Sequence, residues 1–470
     1  MNTTTLFPVA ALLGLVARLG AQTPAVAQVD TTNPRQVVQG FGGALAFYGN
    51  WLTAHPNKQD IYKALFDPVD GLGISWLRLQ NNFRYQTDPA FDTDAAEFVK
   101  QANAARSGKP ISILMSSWTP PASLKSNGAE GCPNTKNCTL AKVDGAYSYT
   151  GFANYWTDSI QAYRKLGVDP AYVSIQNEPD WIADYGSCQF NPTESVTNGV
   201  AYAGYDKALD AVYRGLQGLD KPPKLAGPET LGIGYNAVQR YMSALNPDQV
   251  DVLAHHLYHG GSETSPDTFD AVFDTLNKTY VGKPRFQTEF SRGSAFDTAW
   301  IIQNALTVEE ATVYLYWGLA WPSATELVYL DFPWDKSKWT QDSGWKKNDS
   351  YYAMKHFSLY VQPGFQRYAM RVDHPALRVS AFLSPDLNRL VAVFVNTSTT
   401  ETVAPALVAD DYTTSTAQIF RSNFAGQDER FALVGGLDET GALSLPPQSV
   451  ATVVIDRTVA GTRALRGFGK

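Results

Sequence analysis

"YVSIQNEPDW", Tyr172–Trp181, starts as a buried strand and ends as a cluster of polar groups. Val173 and Ile175 are apolar and β-branched, the residue type that fits a pleated, packed surface. Gln176, Asn177, Glu178 and Asp180 follow at once, and Pro179 cannot pair in a ladder. A strand that ends by delivering an amide and a carboxylate to one point is a rigid mount for chemistry.

Other apolar runs repeat the pattern on both sides. Upstream lie "GGALAF" (Gly42–Phe47), "ISWLRLQ" (Ile74–Gln80) and "ISILMSSW" (Ile111–Trp118). The mount itself reads as a strand over Tyr172–Glu178. Downstream lie "KLAGPE" (Lys224–Glu229), "VDVLAHHLY" (Val250–Tyr258), "RFQTEF" (Arg285–Phe290) and "ATVYLYWGL" (Ala311–Leu319). Amphipathic segments alternate with them, such as Asn57–Asp67, Ala95–Arg106 and Tyr202–Leu216, with apolar residues three and four apart. Eight nearly continuous apolar strands alternating with helices predict an α/β fold, a (β/α)8 TIM barrel of buried parallel strands.

From about Phe365 the helical period disappears. "LRVSAFLS", "LVAVFVN", "STAQIF", "RFALV", "ALSLPP" and "VATVVID" are short strands between turn residues. They predict a fused side β-domain, sandwich-like, over 365–457. The strand-like segment 28–40 is expected to pair with it. The barrel then spans 41–364, and the tail 458–470 is expected to fray. Residues 1–27 read as a signal peptide: Leu6–Ala17 is an apolar run, and small-residue cleavage sites follow near Ala21 and at Ala25–Ala27. The expected location is therefore extracellular.

The chain's 470 residues suit a barrel with an appended domain. Net charge is −7 with no basic stripe, which argues against a nucleic-acid partner. No later stretch is long and apolar enough to span a membrane. Three cysteines leave one unpaired; Cys132–Cys138 is the first expected disulfide, with Cys188 as the alternative partner of either. Sequons stand at Asn137, Asn277, Asn348 and Asn396.

A TIM barrel places its active site at the C-terminal strand ends. There the second strand delivers Arg78, the third Trp118, and the fourth Asn177 and Glu178, with Trp181 just beyond. The fifth delivers Glu229, the sixth His255, His256 and Tyr258, the seventh Glu289, and the eighth Trp317, with Trp321 and Glu326 beyond. Glu178 and Glu289 can face each other across the mouth, as glycoside hydrolysis requires: one carboxyl protonates the leaving oxygen and the other attacks the anomeric carbon or activates water. The acid is expected to have a raised pKa and the nucleophile a low one. Arg78 would keep one carboxylate ionised. Asn177 would hydrogen-bond the neighbouring sugar hydroxyl, and Trp118, Tyr258 and Trp317 would form stacking walls.

Taken singly, these residues read more simply. A strand-end Glu is commonly solvated, an Arg ion-paired, a Trp core. His255, His256 and His259 lack the early His-x-His of metal-dependent hydrolase barrels, so no metal is expected, and His256 reads as a hydrogen-bonding wall residue. Glu229 and Glu326 have no assigned role.

Together, "QGFGG" (Gln39–Gly43), "SSWTPPASLK" (Ser116–Lys125), "VSIQNEPD" (Val173–Asp180), "AHHLY" (Ala254–Tyr258) and "QTEFS" (Gln287–Ser291) resemble glycoside hydrolase family 30, from about Val29 to Asp456. The resemblance implies a retaining mechanism without cofactor or metal, with Glu178 as acid/base and Glu289 as nucleophile. It places Asn177, Arg78, Trp118, Tyr258 and Trp317 around the reacting sugar or behind the carboxylates. It is nearest the xylan-cleaving branches and implies a polysaccharide substrate of plant cell-wall hemicellulose, attacked by a monomer. The expected activity is cleavage of the β-1,4-xylan backbone. The alternative is a β-1,6-galactan or β-1,6-glucan. Glucuronoxylan specificity is disfavoured, because the first and eighth strand loops carry no Arg; Arg84 and Arg292 are the nearest substitutes. A non-catalytic carbohydrate-binding barrel ranks last, since both carboxylates are present.

Overall fold

Each of the eight apolar runs forms a strand in the computed structural model, and the eight close into one barrel. The described residues are 22–457, apart from 134–136, 411, 413, 427 and 428. In order the strands are Gly40–Leu45, Trp76–Gln80, Ser112–Ser116, Tyr172–Ser174, Lys224–Thr230, Val252–His256, Arg285–Glu289 and Val313–Gly318. Every neighbouring pair is parallel, and the eighth strand closes on the first. The close approach of the first two strands explains one of the glycines in "QGFGG": a Cβ on Gly42 would lie 2.0 Å from the Trp76 carbonyl oxygen.

The helices bury the faces their periodicity marks out. Tyr205–Leu216 buries Tyr205, Ala208, Leu209, Val212 and Leu216, one stripe against the barrel. Ala295–Asn304 starts at a capping box in which Ser294 and Asp297 satisfy each other's backbone N–H.

Inside the barrel, Trp76, Leu114, Ala226, Ala254, Phe286 and Leu315 form an apolar plug. Two residues further along, on the same face of their strands, come Arg78, Ser116 and His256. Glu289 follows Phe286 by three residues rather than two. A register shift between His255↔Gln287 and His256↔Glu289 absorbs the extra residue and turns Glu289 inward. A matching shift between Pro228↔Ala254 and Thr230↔His255 flanks Glu229. Polar groups thus stand as a layer on an apolar base, at the C-terminal mouth.

The side domain is one eight-stranded sheet built from Thr23–Val37 and seven strands after Gln366. Thr23–Val37 lies between Gln366–Val372 and Val403–Val408, pairing with both. The central strand, Arg389–Asn396, is buried on both faces. Val391, Val393 and Val395 join the core shared with the barrel, whereas Leu390, Ala392 and Phe394 pack into the domain's own core. That second core gathers residues from both ends of the strand order, so the sheet curls around it.

Several boundaries differ from the sequence reading. The N-terminal strand starts at Thr23, inside the segment assigned to the signal peptide, and Ala25 and Ala27 are buried in it. Residues 1–21 and the tail 458–470 lie outside the described residues. The fourth barrel strand stops at Ser174 rather than Glu178, because the chain turns there and Glu178 takes a φ of 49°. "ALSLPP" forms no strand and makes only isolated bridges, Val403↔Leu445 and Ala406↔Ala442. Cys132 and Cys138 form a disulfide, and Cys188 is a buried thiol.

Candidate active site

A cavity of about 980 Å³ opens at the C-terminal mouth of the barrel. Asn177, Glu178, Trp118, Trp181, Tyr258, Glu289 and Trp317 all line it. Arg78 and His256 lie directly beneath, fully buried. The structure therefore brings all nine sequence-predicted residues to one place. His256 is part of the floor, not of the wall.

Arg78 organises that floor. Its Nη1 donates to Glu289 Oε2 at 2.7 Å, its Nε to Glu229 Oε1 at 3.1 Å, and its Nη2 to Asn177 Oδ1 at 2.5 Å. Arg78 has only donors to offer, so Asn177 must turn its oxygen inward and keep Nδ2 for another acceptor. The guanidinium carbon also lies 4.5 Å from the Trp118 ring centroid. Tyr258 Oη donates to the other oxygen of Glu289 at 3.1 Å. Glu289 is thus an acceptor at both oxygens.

Across the mouth, Glu178 Oε1 lies 3.0 Å from His256 Nδ1. The Glu178 N–H donates to the Glu229 carbonyl at 3.0 Å, which fixes the strained turn that carries the carboxylate. One oxygen of Glu178, one of Glu289 and a ring nitrogen of His256 lie within 4.8 Å of one another. Such a cluster has metal-ligand spacing, but its atoms are already committed to each other and to Arg78, whose charge opposes a second cation.

Electrostatics follow from burial and pairing. Burial works to raise the Glu229 carboxyl, but Arg78 and then His256 outweigh it and hold it down to about 2. For His256, burial favours the neutral ring; Glu289, Glu178 and Glu229 overcome it and raise the imidazole to about 9. Glu289 is pushed up, first by burial, with His256 and Arg78 pulling the other way. That differs from the low value expected of a nucleophile: the layer that positions the carboxylate also desolvates it. Glu326, on the cavity wall, is raised to about 8 by burial, only partly relieved by its Thr325 hydrogen bond and aggravated by Glu289.

The strand-end reading leaves Glu229 without a role and misses Phe47. Glu229 is the second partner of Arg78. Phe47, just past the first strand, has its ring centroid 5.7 Å from Trp118, 6.2 Å from Tyr185, 6.0 Å from Trp317 and 5.9 Å from Trp321. It braces the aromatic wall, yet in sequence it looks like core. Of the two substitute arginines, Arg292 lines the cavity, over the Tyr258 ring at 5.0 Å. Arg84 is tied to Glu130 and to the carbonyls of Asn81 and Phe83.

No protein-family model matches the chain. Its sequence is similar to glucuronoxylanase XynC of Bacillus subtilis (strain 168), 24% identical over 447 residues and covering 91% of each chain. Its structure is similar to the glycoside hydrolase family 30 subfamily 8 xylanase Xyn30A of Clostridium acetobutylicum. There the TM-score is 0.67 at 21% identity, over 92% of this chain and 99% of the other. It is also similar to the endo-β1,6-glucanase BT3312, with a TM-score of 0.66 at 16% identity, over 92% and 94% of the chains. These likenesses place the fold, a (β/α)8 barrel with a side β-domain.

Proposed function

We propose that this chain is a retaining glycoside hydrolase of family 30 that cleaves the β-1,4-xylan backbone, with Glu178 as acid/base and Glu289 as nucleophile. The observation that carries the reading is the approach of the two carboxylates across the mouth, one oxygen of each lying within 4.8 Å of the other. Retaining glycosidases hold their pair roughly 5–5.5 Å apart, whereas inverting ones leave about 6.5–9.5 Å for a water.

In the first step a Glu289 oxygen attacks the anomeric carbon. The glycosidic C–O bond breaks, and the Glu178 proton goes to the leaving oxygen. A glycosyl ester on Glu289 results. In the second step Glu178, now the base, takes a proton from water. The water oxygen attacks the same carbon, the ester bond breaks, and the sugar leaves with its configuration retained. Arg78 and Tyr258 hold Glu289 for attack. His256 holds Glu178, and Asn177 Nδ2 is placed to donate to the hydroxyl beside the reacting carbon.

Xylan is favoured by the full-length similarity to XynC. A requirement for glucuronate is not part of the proposal. Arg292 lines the cavity but pairs with Glu263, and Glu178, Glu289 and Glu326 line the same space. The TM-score against BT3312, 0.66, is close to the 0.67 against Xyn30A, so β-1,6-glucan, with β-1,6-galactan, is the second reading. Export to the cell exterior, where such polymers occur, completes the proposal.

Product analysis tests it. The protein is incubated with glucuronoxylan, unsubstituted xylan, β-1,6-galactan and β-1,6-glucan, and products are followed over time. A ladder of xylo-oligosaccharides from both xylans is expected. Aldouronic products from glucuronoxylan alone would restore a uronate requirement. Activity on a β-1,6-linked polymer alone would keep the mechanism and overturn the substrate.

A further inference from the structure

The aromatic surface does not end at the cavity. Trp321 and Tyr48, both on the cavity wall, meet at 5.0 Å between ring centroids. Tyr48 meets Trp51 at 5.5 Å, and Trp51 meets Trp334 at 6.0 Å. Tyr48 and Trp51 follow the first barrel strand, while Trp321 and Trp334 follow the eighth. Two neighbouring loops thus join their rings in one chain of contacts, from the catalytic mouth to Trp334.

Two of these rings are kept in solvent. Tyr48 is 44% exposed and Trp334 is 53% exposed. Burial is the ordinary use of such side chains, and contiguous exposed aromatic surface on a soluble protein marks binding. Tyr48 also has a φ of 56°, in the left-handed region that bulky residues rarely adopt. A strained residue that holds a ring outward points to function rather than to packing. A charge pair beside these rings offsets itself: Lys338 lies 4.9 Å over the Phe332 ring, which meets Trp334 at 5.0 Å, and 3.7 Å from Asp335. Such a surface suits a neutral ligand with flat C–H faces and hydroxyl edges. Continuity with the cavity selects which one.

We infer that a sugar-binding track runs from Tyr48 on the cavity wall to Trp334 outside it, and holds residues of the polysaccharide chain beyond those in the cavity. The inference rests on the proposed glycanase reading and extends it: the enzyme prefers long chains and draws binding energy from sugars remote from the reaction.

The test compares wild type, Trp334→Ala, Trp334→Phe and Tyr48→Ala on xylo-oligosaccharides of increasing length and on polymeric xylan. If product analysis selects a β-1,6-linked polymer, its own oligomer series is used. The readout is the ratio of kcat/KM on polymer to that on the shortest substrate cleaved. For Trp334→Ala this ratio is expected to fall about fivefold to tenfold, carried by KM and not by kcat. Trp334→Phe should restore most of it. Binding of long oligomers to the Glu178→Gln background should weaken in step. A ratio unchanged in both alanine variants would overturn the track. So would an equal loss at every chain length in Trp334→Ala, since that ring would then only support the cavity. A wild type silent on every polymer would remove the glycanase reading itself, and the track with it.

Discussion

Arg78 and Glu229 meet at 3.1 Å, and neither side chain has any exposed surface. Arg78 also pairs with Glu289, so one cation serves two buried carboxylates. Breaking a buried pair by removing one partner leaves an uncompensated charge, at a cost of about 3–5 kcal/mol. Arg78→Met is expected to destabilise by that order in denaturant titration. Adding Glu229→Gln should recover part of the loss, because one stranded charge disappears. No recovery in the double variant would mean that Arg78 acts by packing alone.

Two of the four sequons are unusable in the folded chain. Asn396 is fully buried, and its Nδ2 donates to the carbonyls of Glu401, Leu445 and Pro446. Asn348 Nδ2 donates to the Ser323 and Glu326 carbonyls. Glycan attachment replaces one of that nitrogen's two hydrogens, both of which are engaged here, and needs open space. Expressed in a glycosylating host, the protein is expected to be unmodified at both sites by peptide mass mapping. Full occupancy at Asn396 would contradict the packing of the side domain.

The barrel was legible because buried parallel strands are apolar on both faces, and eight such runs stand in order. Strand ends were less legible. "YVSIQNE" leaves its sheet after Ser174, since the polar residues that follow belong to the mouth. Gln366–Val372 was not read as a strand because it is only half-buried and carries charges. Val403–Val408 hides behind Pro405, which only an edge strand tolerates. At the site, asking what each strand end delivers gathered Glu178, Glu289, Arg78 and their neighbours. It could not tell that Glu229 pairs with Arg78, because pairing across a barrel has no sequence period. Phe47, Tyr48 and Arg292 sit on loops, whose paths composition does not record.

Stability should depend on pH in a way set by the mouth. Glu229, held near 2 against its usual 4.5, contributes stability that is present above pH 4.5 and lost as pH falls toward 2. His256, raised from 6.5 to about 9, contributes stability that is complete below pH 6.5 and lost as pH rises through 9. Glu326, raised from 4.5 to about 8, keeps its proton in the folded protein while the unfolded chain ionises. Its contribution is complete below pH 4.5 and lost by pH 8, a change on the order of 3–5 kcal/mol. From these three groups, unfolding free energy is therefore expected to peak near pH 4.5 and to decline from there toward pH 9. Glu326→Gln should flatten the decline between pH 4.5 and 8. An unchanged slope would mean that Glu326 already ionises at its usual pH.

The division of labour between the two glutamates gives the sharpest expectation. Glu178→Gln should lower kcat/KM about 10²–10⁴-fold, the range for loss of a general acid/base. Glu289→Gly should lose more, because no covalent intermediate can form. Azide then separates the roles on an activated aryl glycoside. In Glu289→Gly it occupies the vacated side of the sugar and displaces the aryl group directly, giving a glycosyl azide of inverted configuration. In Glu178→Ala it attacks the glycosyl ester on Glu289 from the acid/base side, giving a glycosyl azide of retained configuration. Product stereochemistry by NMR reads the difference. The opposite pairing would exchange the two roles, and wild-type activity in either variant would remove that carboxylate from the mechanism.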